Sequence, residues 1–156
     1  MFTPNERCSG TVIKKLGVGD YALEGYENLF TIERKGSVAE FCANLNQDRF
    51  IADFNPYKTS EKQSEFNRLQ TIQYPYILLE FEVVDLLKYP DIPEIPKFLR
   101  KKIRFKGYAA LKKIIELEMK YKTRIIFCGK KGKEVASSIF KRMIEEIEAK
   151  SNNEAK

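Results

Sequence analysis

The chain contains no histidine. That absence removes Ser-His-Asp and Cys-His nucleophiles, histidine metal ligands and histidine acid–base pairs. Any chemistry must run on carboxylates, Lys, Tyr, Cys or a bound hard cation. Cysteine is scarce as well, with Cys8, Cys42 and Cys128 widely spaced and no CxxC pair. An odd, dispersed set fits a reducing intracellular compartment and argues against a zinc knuckle, so a cytoplasmic location is expected (host cytoplasm if the chain is phage-encoded). No apolar run approaches the ~18 residues that a membrane span needs. No signal peptide is visible. There is no internal repeat and no low-complexity tract.

What remains is an ordinary globular composition with a basic lean. A chain of 156 residues fits one domain, expected over 1–150 with a disordered polar tail at 151–156. That length can bury roughly 68–70% of its unfolded surface without disulfides or a structural metal. Lys and Arg number 28 against 22 acids, a formal charge of +6. This favours a polyanionic partner without identifying one.

Along the chain, Val12–Leu16, Tyr21–Leu23 and Leu29–Lys35 read as short strands joined by glycine-bearing turns, an antiparallel meander. Ser37-Val38-Ala39-Glu40 has the form of a capping box, and Val38, Phe41, Cys42 and Leu45 follow at helical spacing. After a loop around Phe54-Asn55-Pro56, Ser60 and Gln63 offer a second box ahead of Phe66, Leu69 and Ile72. Tyr76–Phe81 is nearly all apolar, as a strand covered on both faces would be. Residues 89–98 hold Pro90, Pro93 and Pro96 and read as an ordered loop. Tyr108–Tyr121 reads as a helix, Arg124–Cys128 as a buried strand and Lys133–Ala149 as an amphipathic helix. The order β-β-β-α-α-β-α-β-α predicts an α/β fold, a mixed central sheet flanked by helices.

Asp20 and the tripeptide Glu33-Arg34-Lys35 carry the chemistry. Strand side chains alternate faces, so Glu33 and Lys35 point one way and Arg34 the other, toward a helix or a supporting acid. Asp20, Glu33 and Lys35 fit the pattern D-(x12)-E-x-K of restriction-endonuclease-like, PD-(D/E)XK sites. Two carboxylates offer hard oxygen ligands to Mg²⁺ or Mn²⁺ and leave room for water and a phosphate oxygen. Such an ion acidifies bound water and polarises phosphate, and the lysine can stabilise hydroxide or the charge developing on phosphorus. An exposed Glu/Lys face on an edge strand would give the same spacing.

The wider string Val18-Gly19-Asp20-Tyr21, then Thr31-Ile32-Glu33-Arg34-Lys35-Gly36-Ser37-Val38, resembles the nuclease domain of the XPF-type structure-specific endonucleases, which show GDY followed by ERK and a helix. Arg49, Arg68 and the Leu-Leu-Glu ending of the strand Tyr76–Phe81 are also similar. The resemblance covers roughly residues 12–82, and the whole chain, through Ile126-Phe127-Cys128-Gly129, looks most like small phage or bacterial members. It implies a restriction-endonuclease-like core, Asp20 and Glu33 as metal ligands, Lys35 as the catalytic lysine, and Mg²⁺ or Mn²⁺ as cofactor. The implied activity is endonucleolytic cleavage of branched or flapped DNA in replication, recombination or repair. The chain departs from the family twice. The family's first-strand acid, in a D-x-R-E context, has no counterpart, since Asn5-Glu6-Arg7 stands near the start and no Asp precedes Asp20; a missing first strand is expected. Where the family has an acid six residues after the ERK glutamate, this chain has Ala39, followed by Glu40.

Other features admit more than one use. Arg100, Lys101, Lys102, Arg104 and Lys106, with Lys97, Lys112 and Lys113, form the densest basic stretch and carry Phe98, Phe105 and Tyr108. With Arg49 and Arg68 they are candidates for phosphate-backbone contact, or else a solvated lysine-rich surface. Gly129-Lys130-Lys131-Gly132-Lys133 fails the P-loop pattern and reads as a plain turn. Glu80, sharing a strand face with Glu82, is a candidate outer acid, and Glu65 a weaker one. The apolar stripe from Val135 to Ile147 is a packing face, with a homodimer seam as the alternative, and a nuclease subunit that needs a partner to complete its DNA grip is a further reading of the chain. A catalytically inactive DNA-binding module that keeps the fold is the competing reading of the whole.

Overall fold

The computed structural model describes residues 10, 15–47, 50–51 and 63–154. Its centre is a four-stranded sheet in the order β1-β2-β3-β4, formed by β1 (Tyr21–Ala22), β2 (Phe30–Lys35), β3 (Tyr74–Leu79) and β4 (Arg124–Phe127). β1 runs antiparallel to β2, with Tyr21 opposite Ile32. β2, β3 and β4 are parallel, with Glu33 opposite Ile77 and Ile77 opposite Ile125. The antiparallel pairing expected between the strands at Tyr21 and Phe30 is found in β1–β2. Parallel neighbours need crossovers, and the helices α1 (Val38–Asn44), α2 (Glu65–Leu69), α3 (Val83–Lys88), α4 (Lys97–Arg100) and α5 (Gly107–Lys120) lie in them. The last helix, α6 (Gly132–Glu154), follows β4. The fold is a mixed sheet with helices on both faces, as expected.

Alternation along the strands sorts the core into two layers. Thr31, Glu33 and Lys35 of β2 and Ile77 and Leu79 of β3 share one face. On that face Ile77 and Leu79 pack with Phe41, Phe50, Phe66, Leu86, Ile114 and Leu117. Phe30, Ile32 and Leu78 take the other face, under Ala136, Ile139, Phe140 and Met143 of α6. The stripe on α6 is therefore a packing face. β3 is the central strand, and Ile77, Leu78 and Leu79 are essentially inaccessible to water. Phe50 meets Phe41 and Phe66 edge-to-face at 6.1 and 5.2 Å, contacts that add ~0.5–1.5 kcal/mol each beyond burial.

Helix starts follow local chemistry. Ser37, in an extended conformation, caps α1 by accepting from the Glu40 amide at 3.3 Å. Ser64, not Ser60, caps α2 by accepting from the Asn67 amide, and Ser60 lies outside the described residues. α3 was not expected. It begins at a reciprocal capping box between Glu82 and Asp85, so Glu82 is a helix cap rather than a strand residue.

Helix α6 runs on into the polar tail as far as Glu154, and two further expectations need correction. Lys15 and Leu16 are not in a strand, and the rest of Val12–Leu16 lies outside the described residues, as do Asn5-Glu6-Arg7 and Arg49. Within residues 89–98, α4 already starts at Lys97.

Candidate active site

The site is built where β2 ends and α1 and α2 cross above it. Lys35 Nζ lies 2.9 Å from Glu33 Oε1, which fits their shared strand face. The same ammonium lies 2.9 Å from Glu65 Oε1, at the first turn of α2, and 5.2 Å from the Phe50 ring centroid. The Lys35 side chain is only 8% exposed. An ammonium that deep needs charged partners, and the two carboxylates supply them. Burial works to lower the Lys35 pKa, but its bonds to Glu33 and Glu65 outweigh burial and hold it above the ordinary lysine value.

Glu33 feels the opposite balance. Burial is the largest influence and the Glu65 charge the next, and together they raise its carboxyl to about 7 against the pull of Lys35. Asp20 adds to the rise through its own charge.

Asp20 reaches this corner by an unusual turn. Gly19 takes a left-handed backbone (φ 76°), and a Cβ there would run into Thr31 Oγ1. Thr31 Oγ1 in turn lies 3.1 Å from the carbonyls of both Val18 and Tyr21, so its single proton can serve either. The Asp20 amide donates to the Ile32 carbonyl at 2.8 Å, and Asp20 Oδ2 accepts from the Arg34 amide at 2.8 Å. Asp20 is thus fastened to the residues on either side of Glu33. The sequence motif Gly-Asp-Tyr has a physical reason here: only glycine lets the chain pass Thr31 and deliver the acid.

Arg34 faces the other layer, as alternation requires. Its Nε and Nη2 donate to Glu80 Oε1 and Oε2, both at 2.7 Å, and its Nη1 donates to Tyr21 Oη at 2.9 Å. Glu80 is the supporting acid expected for Arg34. It is not an outer acid beside Lys35, because it sits on the opposite face of the sheet. Glu80 also occupies the space beside Gly132, where a Cβ would fall 2.6 Å from Glu80 Oε1, and Glu82 fills the space beside Gly129. The glycines of Gly129-Lys130-Lys131-Gly132 exist to admit these carboxylates, and the segment is a 3₁₀ turn leading into α6.

The remaining candidates separate. Arg68 Nη1 donates to the Gly17 carbonyl at 3.3 Å, steadying the loop ahead of Gly19, and its Nε is buried without a partner among the described residues. Arg100 donates to the carbonyls of Ile95 and Ile92 at 2.9 and 2.8 Å, so its guanidinium braces the proline loop. Lys101, Lys102, Arg104 and Lys106 are exposed. Ala39 packs against the core and supplies no ligand, while Glu40 is exposed on α1. The residue that sequence underweighted is Glu65. Its only local signal was a position directly after Ser64 at a helix start.

As a donor set, Asp20 and Glu33 suit a small hard cation. Each has one oxygen engaged, by the Arg34 amide and by Lys35, and one oxygen with no such bond among the described residues. Mg²⁺ is ordinarily held by one or two carboxylates with water completing the shell. Among the described residues no three Asp, Glu, Cys or His side chains form a ready metal cage. No family model, curated protein or solved structure matches the chain.

Proposed function

We propose that this chain is a metal-dependent DNA endonuclease acting on branched or flapped DNA in replication, recombination or repair. The observation that carries the reading is the convergence of Asp20, Glu33 and Lys35. One acid is pinned by the Arg34 amide, the residue just before Arg34 on β2 is the second acid, and a buried amine lies 2.9 Å from that second acid. Asp20 and Glu33 would hold Mg²⁺ or Mn²⁺, which when bound acidifies water and polarises a phosphate oxygen. Lys35 keeps its proton at working pH and stabilises the attacking oxygen or the charge developing on phosphorus. Glu65 holds Lys35 in place whenever Glu33 turns to the ion. Phe50 walls the ammonium from water and strengthens its field. The preference for branched DNA comes from the resemblance of the Gly-Asp-Tyr and Glu-Arg-Lys segments to XPF-type nucleases.

The test is cleavage of labelled flap, splayed-arm and linear duplex DNA in Mg²⁺ or Mn²⁺, beside Asp20→Asn and Glu33→Gln. The parent protein should cut, and each variant should lose at least about a hundredfold in rate, the scale on which catalytic electrostatic groups act. A specific observation keeps a second reading alive. Ala39 stands half-buried where an acid would complete the family's set, which fits an inactive DNA-binding module. Binding of the branched DNA without cutting in either metal selects that module.

A further inference from the structure

From residue 97 to residue 115 the sequence holds no Asp or Glu. Within this span Lys97, Lys101, Lys102 and Lys106 are exposed, and none has an ion-pair partner among the described residues. Two aromatic rings of the same span are exposed, Phe98 at 71% and Tyr108 at 68%. Among the described residues neither ring packs against another aromatic ring. Arg100, turned inward onto the Ile92 and Ile95 carbonyls, fixes the backbone from which Phe98 projects. Gly107, pressed against the backbone of Leu86 and bonded to the Tyr89 carbonyl at 3.0 Å, does the same for Tyr108.

We infer that this surface, from α4 to the first turn of α5, is a platform for single-stranded nucleic acid, with bases stacking on Phe98 and Tyr108 and phosphates held by the lysines. The chemistry selects that ligand over others. A basic surface attracts any polyanion, but an apolar ring set among ammonium groups is satisfied only by a ligand that is anionic and flat at once. Nucleobases on a phosphate chain have both properties, and stacking on aromatic rings tolerates any sequence. A duplex keeps its bases stacked inside and offers the rings nothing. Topology places the platform usefully. The crossover from β3 to the parallel β4 brings the start of α5 to the carboxyl end of the strands, the end at which Glu33 and Lys35 stand. The platform stands on its own surface chemistry; that a strand seated there leads toward Asp20 and Glu33 rests on the nuclease reading above.

The experiment is fluorescence anisotropy in EDTA, so that binding is read without cleavage. The probes are a labelled oligothymidylate, a duplex of equal length and phosphatidylserine vesicles. The oligothymidylate should bind best, with affinity falling steeply with salt. The double variant Phe98→Ala with Tyr108→Ala should lose at least about tenfold for it and little for duplex, since each stacked base contributes ~1–3 kcal/mol. Equal binding by the double-alanine variant, or preference for duplex or vesicles, overturns the platform. Phe98→Trp supplies a second check, because an exposed ring is exchanged for another and the chain has no other tryptophan to obscure its emission. Its emission should change on adding oligothymidylate, and unaltered emission at saturating oligonucleotide rejects the inference. If binding behaves as stated but the full protein never cuts, only the nuclease reading fails.

Discussion

The backbone amide of Arg34 donates to Asp20 Oδ2 at 2.8 Å while its side chain grips Glu80 with two bonds of 2.7 Å. One residue thus ties the acid on one side of the sheet to a strut on the other. The tie to Asp20 is made by the main chain, so it survives changes to the Arg34 side chain. Arg34→Ala and Glu80→Ala should each destabilise the fold by about 1 kcal/mol, the scale of a partly exposed ion pair, and a double-mutant cycle in urea should show the losses to be coupled. Metal binding at Asp20 should fall far less in Arg34→Ala than in Asp20→Asn.

The pair of carboxylates around Lys35 sets a pH signature. Glu33 titrates at about 7 in the fold against 4.5 for an ordinary glutamate. Its folded form therefore binds more protons than the unfolded form between those values, and this group's contribution to stability declines as pH rises from about 4.5 to 7. Glu33→Gln should remove that decline. Urea unfolding at pH 5 and pH 7.5 should show the variant gaining on the parent at the higher pH, by an amount on the order of 2 kcal/mol.

Removing Glu65 should shift that signature. Its charge is the second-largest influence raising the Glu33 pKa, so Glu65→Gln should move the acid limb of Mg²⁺-dependent cleavage to lower pH. The rate at neutral pH should drop less than in Lys35→Ala, because Glu65→Gln removes one partner of the amine and leaves the amine itself. A pH–rate profile of the two variants measures both.

Gly19→Ala should be severe for so small a change. The added methyl meets Thr31 Oγ1, and the left-handed backbone penalises any L side chain. A loss of roughly 2–3 kcal/mol is expected from strain and clash together. Thr31→Ser, which keeps the hydroxyl near Val18 and Tyr21, should cost clearly less. Thermal denaturation ranks the two.

Much of this was legible wherever the signal is local. The apolar run of β3, the Ser37 cap and the period of α5 announced themselves because strand burial, capping and helix spacing act within a few residues. The opposite facing of Arg34 and Lys35 followed from the two-residue period of a strand. Contacts across many residues were not legible. Nothing near Glu65 says that it meets Lys35 thirty positions earlier, and nothing near Glu80 says that Gly132 clears space for it. Val83 and Val84 are β-branched, a residue type that favours strands, yet the Glu82–Asp85 box wins and starts α3. Arg100 sits among lysines and reads as a DNA contact, yet its guanidinium is engaged by the Ile92 and Ile95 carbonyls of the proline loop.

The central claim is that Asp20 and Glu33 share one hard cation, and a Mn²⁺ titration followed by electron paramagnetic resonance tests it most directly. The account predicts a saturable Mn²⁺ site on the parent protein that is displaced by Mg²⁺ and lost in both Asp20→Asn and Glu33→Gln. Mn²⁺ binding that persists unchanged in both variants would contradict it.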